Sequence, residues 1–211
     1  MIKEKELVVK YGRKLIDKKL TKGSGGNISV YIKDKNQVAI SPSGLDYYET
    51  KIEDVVIVDL EGNVVEGKQR PSSELEMHLA FYKERPGINA IVHTHSKFAT
   101  AIACMGWELP AVHYLLAMAG HSVKCADYAT YGTKELADNA VKSIGESNAV
   151  LLANHGLIAV GDNIESAFST AEHLEFVSEI YYLTKTLGNP NILSKENMDE
   201  VMKKFGTYKY R

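Results

Sequence analysis

The chain has 211 residues, 45% of them apolar, a formal net charge of −2 and two cysteines. That size supports one α/β domain over residues 1–211 with a substantial core, and the small net charge gives no global reason to expect nucleic acid or an anionic membrane as a partner. No apolar run reaches the ~20 residues of a membrane span, Met1 to Glu6 lacks a signal peptide's apolar segment, and Cys104 and Cys125 form no CxxC, so the cytoplasm is the expected compartment and both thiols are expected to be buried small residues.

Residues 4–20 read as a helix whose Leu7, Val8, Tyr11, Leu15 and Ile16 share a face. Gly23 to Asn27 is a glycine-rich loop leading into a strand from Ile28 to Ile32, with a second strand from Gln37 to Ser41. Ser41-Pro42-Ser43-Gly44 is another small-residue loop. Val55 to Leu60 turns at Glu61-Gly62-Asn63 into Val64-Val65, a hairpin. Ser73 and Glu76 have capping-box spacing and open a helix that buries Leu75, Leu79 and Tyr82 and stops at Pro86-Gly87. Glu74 falls in its first turn, where the helix dipole favours a carboxylate.

Ala90 to Ser96 reads as a strand carrying His93 and His95. Phe98 to Met105 is a helix, Leu109 to Tyr114 an extended piece, Leu115 to Ala119 a helical turn and Val123 to Ala126 a strand. A helix starts at Gly132-Thr133. Ala149 to Ala153 is an apolar run, hence a strand buried on both faces; Asn154-His155-Gly156 follows, and Leu157 to Val160 continues as strand. Asn163 caps a long helix to about Leu187, and Ser194 to Phe205 forms the last.

Side chains at i and i+2 of a strand share a face, so His93 and His95 project together, roughly 7 Å apart at their roots. His155, at the mouth of an apolar strand, needs a polar partner. Three neutral imidazoles would suit zinc with an open fourth position and leave the ion a strong Lewis acid. His78, His113, His121 and His173 lack this context, although His113 could line a site. Hydroxyl and glycine residues recur in three loops: Ser24 to Asn27, Ser43-Gly44 and Ser72-Ser73. Backbone N–H groups, hydroxyls and a helix start together suit a phosphate.

Gly25-Gly26-Asn27-Ile28-Ser29, Ser41-Pro42-Ser43-Gly44, Pro71-Ser72-Ser73-Glu74, His93-Thr94-His95, Pro110-Ala111-Val112-His113-Tyr114 and Asn154-His155-Gly156-Leu157 resemble the class II aldolase/adducin family, in order and across nearly the whole chain. The resemblance implies a three-layer α-β-α fold with a central, mainly antiparallel sheet, where periodicity alone leaves a parallel sheet open. It implies a homotetramer with sites between neighbouring subunits. It further implies one Zn2+ per subunit, or another divalent metal, on His93, His95, His155 and, in the empty site, Glu74. A sugar phosphate is the implied ligand, its phosphate near Gly26, Asn27, Ser43, Gly44, Ser72 and Ser73.

The implied reaction is reversible cleavage of a sugar 1-phosphate of the L-fuculose 1-phosphate type to dihydroxyacetone phosphate and an aldehyde such as L-lactaldehyde. Glu74 would be the base, and Tyr114, reaching in from a neighbouring subunit, the acid. Tyr208 would close over the site from the tail. Tyr131 stands where the resemblance implies phenylalanine, and its hydroxyl bears on aldehyde choice. L-ribulose-5-phosphate 4-epimerase uses the same fold but needs an acid near Tyr114-Leu115-Leu116, where none stands. A methylthioribulose-1-phosphate dehydratase ranks after it. A non-enzymatic adducin-like module should have lost ligands, and this chain keeps all four.

Overall fold

The computed structural model describes residues 1–207. Eight strands form one sheet in the order β4-β3-β2-β1-β5-β8-β7-β6. They are β1 (Asn27–Ile32), β2 (Gln37–Ile40), β3 (Val56–Asp59), β4 (Val64–Glu66), β5 (Ala90–Thr94), β6 (Cys125–Ala126), β7 (Ala149–Leu152) and β8 (Gly156–Gly161). Every neighbouring pair is antiparallel except β6 with β7. The expected mainly antiparallel sheet between helical layers is what the chain forms.

The helices are α1 (Ile2–Asp17), α2 (Leu75–Glu84), α3 (Lys97–Cys104), α4 (Lys134–Ile144), α5 (Ile164–Leu187) and α6 (Lys195–Thr207). None of the described helices is long and apolar enough to cross a membrane. Alternation along each strand sends side chains to two separate cores. Ile28, Val30, Val92, Leu157 and Ala159 pack with Val8, Leu15, Phe168 and Leu174 of α1 and α5. Val38, Val58, Ile91, Val150 and Ile158 pack with Met77, Phe81, Leu136 and Ala140 of α2 and α4. Burying one such aliphatic side chain contributes about 1.5–3 kcal/mol.

Several local expectations shift. The Ser73–Glu76 capping box does not form: α2 begins at Leu75, Glu74 is its N-cap, and the Glu74 N–H donates to Ser72 Oγ at 3.2 Å. The Glu74 carboxylate is engaged elsewhere, so the helix starts one residue later than a Ser73 cap would place it. The Leu115–Ala119 turn is a 3-10 segment over Tyr114–Met118. The Val123–Ala126 strand contracts to two residues at the sheet edge, with Val123 bridged only to Leu109. The thiols are not buried: Cys104 is exposed at the end of α3, Cys125 is half-buried on that edge strand, and both are free.

Candidate metal centre and active site

Sheet register builds the site first. Asn27 lies directly opposite His93 across the β1–β5 pair, and directly paired residues point to one face. His93 is fully buried in the middle of the sheet, between β1 and β8. Its Nδ1–H donates to the Leu157 carbonyl of β8 at 3.0 Å, which directs Nε2 away from the sheet. His95 lies one residue past the end of β5. His155 does not end a strand; it sits in the tight β7–β8 turn, which Asn154 enters at φ 55°. Gly156 is required there, because a Cβ would collide with the Thr94 carbonyl oxygen and press on the His93 ring.

These elements converge on one point. His93 Nε2 lies 3.0 Å from His95 Nε2 and 3.2 Å from His155 Nε2. Glu74 adds Oε2 at 3.1 Å from His93 Nε2 and Oε1 at 3.3 Å from His155 Nε2. The four ligand atoms all lie within 4.8 Å of one another. Glu74 Oε1 is buried, yet it receives no hydrogen bond from any described residue. An acidic oxygen without a donor, facing three imidazole nitrogens, calls for a cation. The donor set therefore suits a divalent metal ion.

The titration behaviour agrees. Burial pushes the Glu74 carboxyl up, but His93, His155 and Asn27 outweigh it and hold it well below the usual carboxylate range. Burial pulls His93 down, and Glu74 more than reverses this. His95 and His155 are pushed down, to about 3 and about 4, by burial first and then by His93. Both rings are neutral at pH 7 and keep lone pairs for a metal.

A cleft of about 450 Å³ opens beside this cluster. Gly26, Asn27, Ser43, Gly44, Ser72, Ser73 and Tyr131 all line it, together with Glu74, His95 and His155. The three loops are locked to one another. Ser43 N–H donates to the Arg70 carbonyl and Ser72 N–H to that of Ser41, while Pro42 and Pro71 form an isolated bridge. Ser41 Oγ accepts the Ile28 N–H, and the Tyr47 hydroxyl donates to the Gly26 carbonyl at 2.8 Å. Gly26 has φ +66°, and a Cβ there would meet the His93 carbonyl oxygen at 2.6 Å.

Two expected residues lie apart. Tyr114 is about half exposed, packed on the rings of His113 and Phe205, and does not line the cleft of its own chain. His113 is not in the cleft either; its Nδ1 accepts the Leu115 N–H. Tyr208 lies outside the described residues. Sequence reasoning missed Tyr128, an exposed aromatic beside Tyr131 in the cleft wall. It also missed His78, which is fully buried between Asn27 Oδ1 and Ser29 Oγ, with burial lowering its pKa to about 3. A polar residue four positions after Glu74 was the available signal.

Residues 6–182 match the family described as Class II Aldolase and Adducin N-terminal domain. The chain belongs to that family. It is 57% identical over 206 residues to a 5-deoxy-D-ribulose 1-phosphate aldolase of Bacillus thuringiensis serovar kurstaki, covering 98% of this chain and 97% of that one. It is 39% identical over 194 residues to the L-fuculose phosphate aldolase of Escherichia coli strain K12, covering 91% and 89%. A solved L-fuculose 1-phosphate aldolase superposes with a TM-score of 0.95 at 48% identity, covering 97% of this chain and 96% of that one. These relatives are named aldolases, lyases of the class II type.

Proposed function

We propose that this class II aldolase family member cleaves a deoxyketose 1-phosphate between C3 and C4, releasing dihydroxyacetone phosphate and a short aldehyde. The supporting observation is the convergence of Glu74, with its unpaired Oε1, on three imidazoles at the edge of a cleft walled by hydroxyl loops. His93, His95 and His155 would hold a divalent ion, zinc in this reading, which when bound would supply Lewis acidity at the ketone. The loops at Gly26-Asn27, Ser43-Gly44 and Ser72-Ser73 hold the phosphate, with the positive end of α2 behind the last of them. Tyr114 of a neighbouring subunit takes the proton of the C4 hydroxyl. In the synthetic direction ionised Glu74 removes the C3 proton, the C3 electrons form the bond to the aldehyde carbon, and Tyr114 gives its proton to the new C4 alkoxide. Cleavage runs the same steps backwards from the tyrosinate and protonated Glu74 that these leave, the C3–C4 electrons passing to C3 and the Glu74 proton following them. Glu74 is ionised at neutral pH, as a base must be.

The reading requires more than one copy, taken here as a homotetramer, and an exposed apolar face supports self-association. Met105, Trp107, Tyr182 and Leu183 leave an apolar face exposed on the turn after α3 and on α5. Two free thiols fit a reducing cytoplasm.

On substrate, 57% identity across almost the full length favours 5-deoxy-D-ribulose 1-phosphate, with acetaldehyde as the second product. L-fuculose 1-phosphate, which yields L-lactaldehyde, is the second reading, favoured by the 0.95 TM-score neighbour. Both substrates end in a methyl group. The test offers each to purified protein and follows dihydroxyacetone phosphate release, with and without a chelator. Faster turnover of the five-carbon substrate, abolished by chelation and restored by zinc, is expected. Epimerisation of L-ribulose 5-phosphate without cleavage would overturn the reading.

A further inference from the structure

α2 and β1 face each other with polar residues at matched intervals. Glu74, His78 and Tyr82 recur every four residues on α2, a step of about 6 Å. Asn27, Ser29 and Tyr31 recur every two residues on β1, a step of about 6.6 Å. The near-equal steps let the two rows interleave. Asn27 Nδ2 donates to Glu74 Oε2 at 2.9 Å, and His78 Nε2 lies 2.5 Å from Asn27 Oδ1. Ser29 Oγ lies 2.6 Å from His78 Nδ1 and 2.7 Å from the Tyr82 hydroxyl. All five side chains are buried.

Donor chemistry gives this row one direction. An ionised carboxylate only accepts, so Asn27 turns its NH2 toward Glu74 and its oxygen toward His78. That oxygen only accepts, so His78 carries its hydrogen on Nε2 and accepts at Nδ1. Ser29 must then donate to Nδ1 and accept from the Tyr82 hydroxyl. Every donor in the row points toward Glu74. The two carboxylate oxygens become unlike: Oε2 has a fixed donor, and Oε1 has none among the described residues.

We propose that His78 is a positioning residue for proton transfer: acting through Asn27, it fixes Oε2 of Glu74 and leaves Oε1 as the oxygen that exchanges a proton with substrate. The assignment deepens the aldolase reading above and rests on it. Ser29, itself bonded to Tyr82, holds the His78 ring at Nδ1, and none of the three lines the cleft.

The experiment follows exchange of the carbon-bound C3 proton of dihydroxyacetone phosphate with D2O by NMR, alongside bound metal. His78→Leu is expected to keep its metal and its KM within about twofold while the exchange kcat falls about 10–100-fold. His78→Gln, whose amide nitrogen reaches toward Asn27 Oδ1, should recover most of that loss. Ser29→Ala, which leaves His78 Nδ1 without its donor and loosens the hold on the ring, should lower exchange less than His78→Leu does. If His78→Leu does not fold, Ser29→Ala decides: an unchanged rate overturns the assignment. So does a folded His78→Leu that exchanges at the wild-type rate, or one in which metal and exchange fall together without rescue by Gln. Wild-type protein with bound metal but no exchange would instead sink the aldolase reading itself.

Discussion

On the α1–α5 side of the sheet, β1 presents Ile28, Val30 and Ile32; on the α2 side, the same strand presents Asn27, Ser29 and Tyr31. One face supplies apolar area, which stabilises wherever it is buried and tolerates changes of shape. The other supplies hydrogen bonds with fixed partners, where each loss leaves a buried group unsatisfied. The contrast separates residues that hold the fold from residues whose hydrogen bonds lead toward Glu74, although all of them except the half-buried Tyr31 are buried.

Substitutions should divide along that line. The largest effect is expected on the polar face: Glu74→Gln should keep metal and fold while aldol cleavage falls 10²–10⁴-fold, roughly what a positioned acid–base group contributes. His155→Ala should lose metal as well, read by elemental analysis of the purified protein. On the apolar face, Leu15→Ala should destabilise the protein by about 2–5 kcal/mol, read as a shift of the urea midpoint, with kcat per folded molecule unchanged.

A third expectation concerns pH. The pKa of His78 is lowered in the folded state, so the unfolded chain binds the proton first as pH falls. Its contribution to stability is intact above the unfolded value of about 6.5 and is lost progressively from there down to about 3, at up to about 1.4 kcal/mol per pH unit. His78→Gln should flatten the fall in urea midpoint between pH 6.5 and pH 5 by about one proton's slope. The smallest effect belongs to Thr133→Ala at the start of α4, where Thr133 Oγ1 accepts the Leu136 N–H at 3.3 Å. Its loss should cost about 1 kcal/mol, visible by thermal melting and silent in the aldolase assay.

The three histidines that converge were legible because local pattern carries them. H-x-H on a strand and a histidine before a glycine need no knowledge of what packs where. Strand and helix positions for β1, β5, β7 and α5 were legible for the same reason: each has a clean period or a clear stop. His78 was not, because its role exists only once α2 lies across β1, and that juxtaposition spans about fifty residues of chain. The Ser73–Glu76 box misled because the tertiary demand on Glu74 outranks a local cap. Tyr128 gave no signal, since an exposed loop aromatic has no period.

The bond that sets the His93 tautomer ends on the main-chain oxygen of residue 157, not on a side chain. No point mutation at that position can delete the acceptor. The orientation of the central imidazole is therefore insulated from genetic drift at its partner, whereas the Glu74 carboxylate, steered through exchangeable side chains, stays open to tuning by single codon changes.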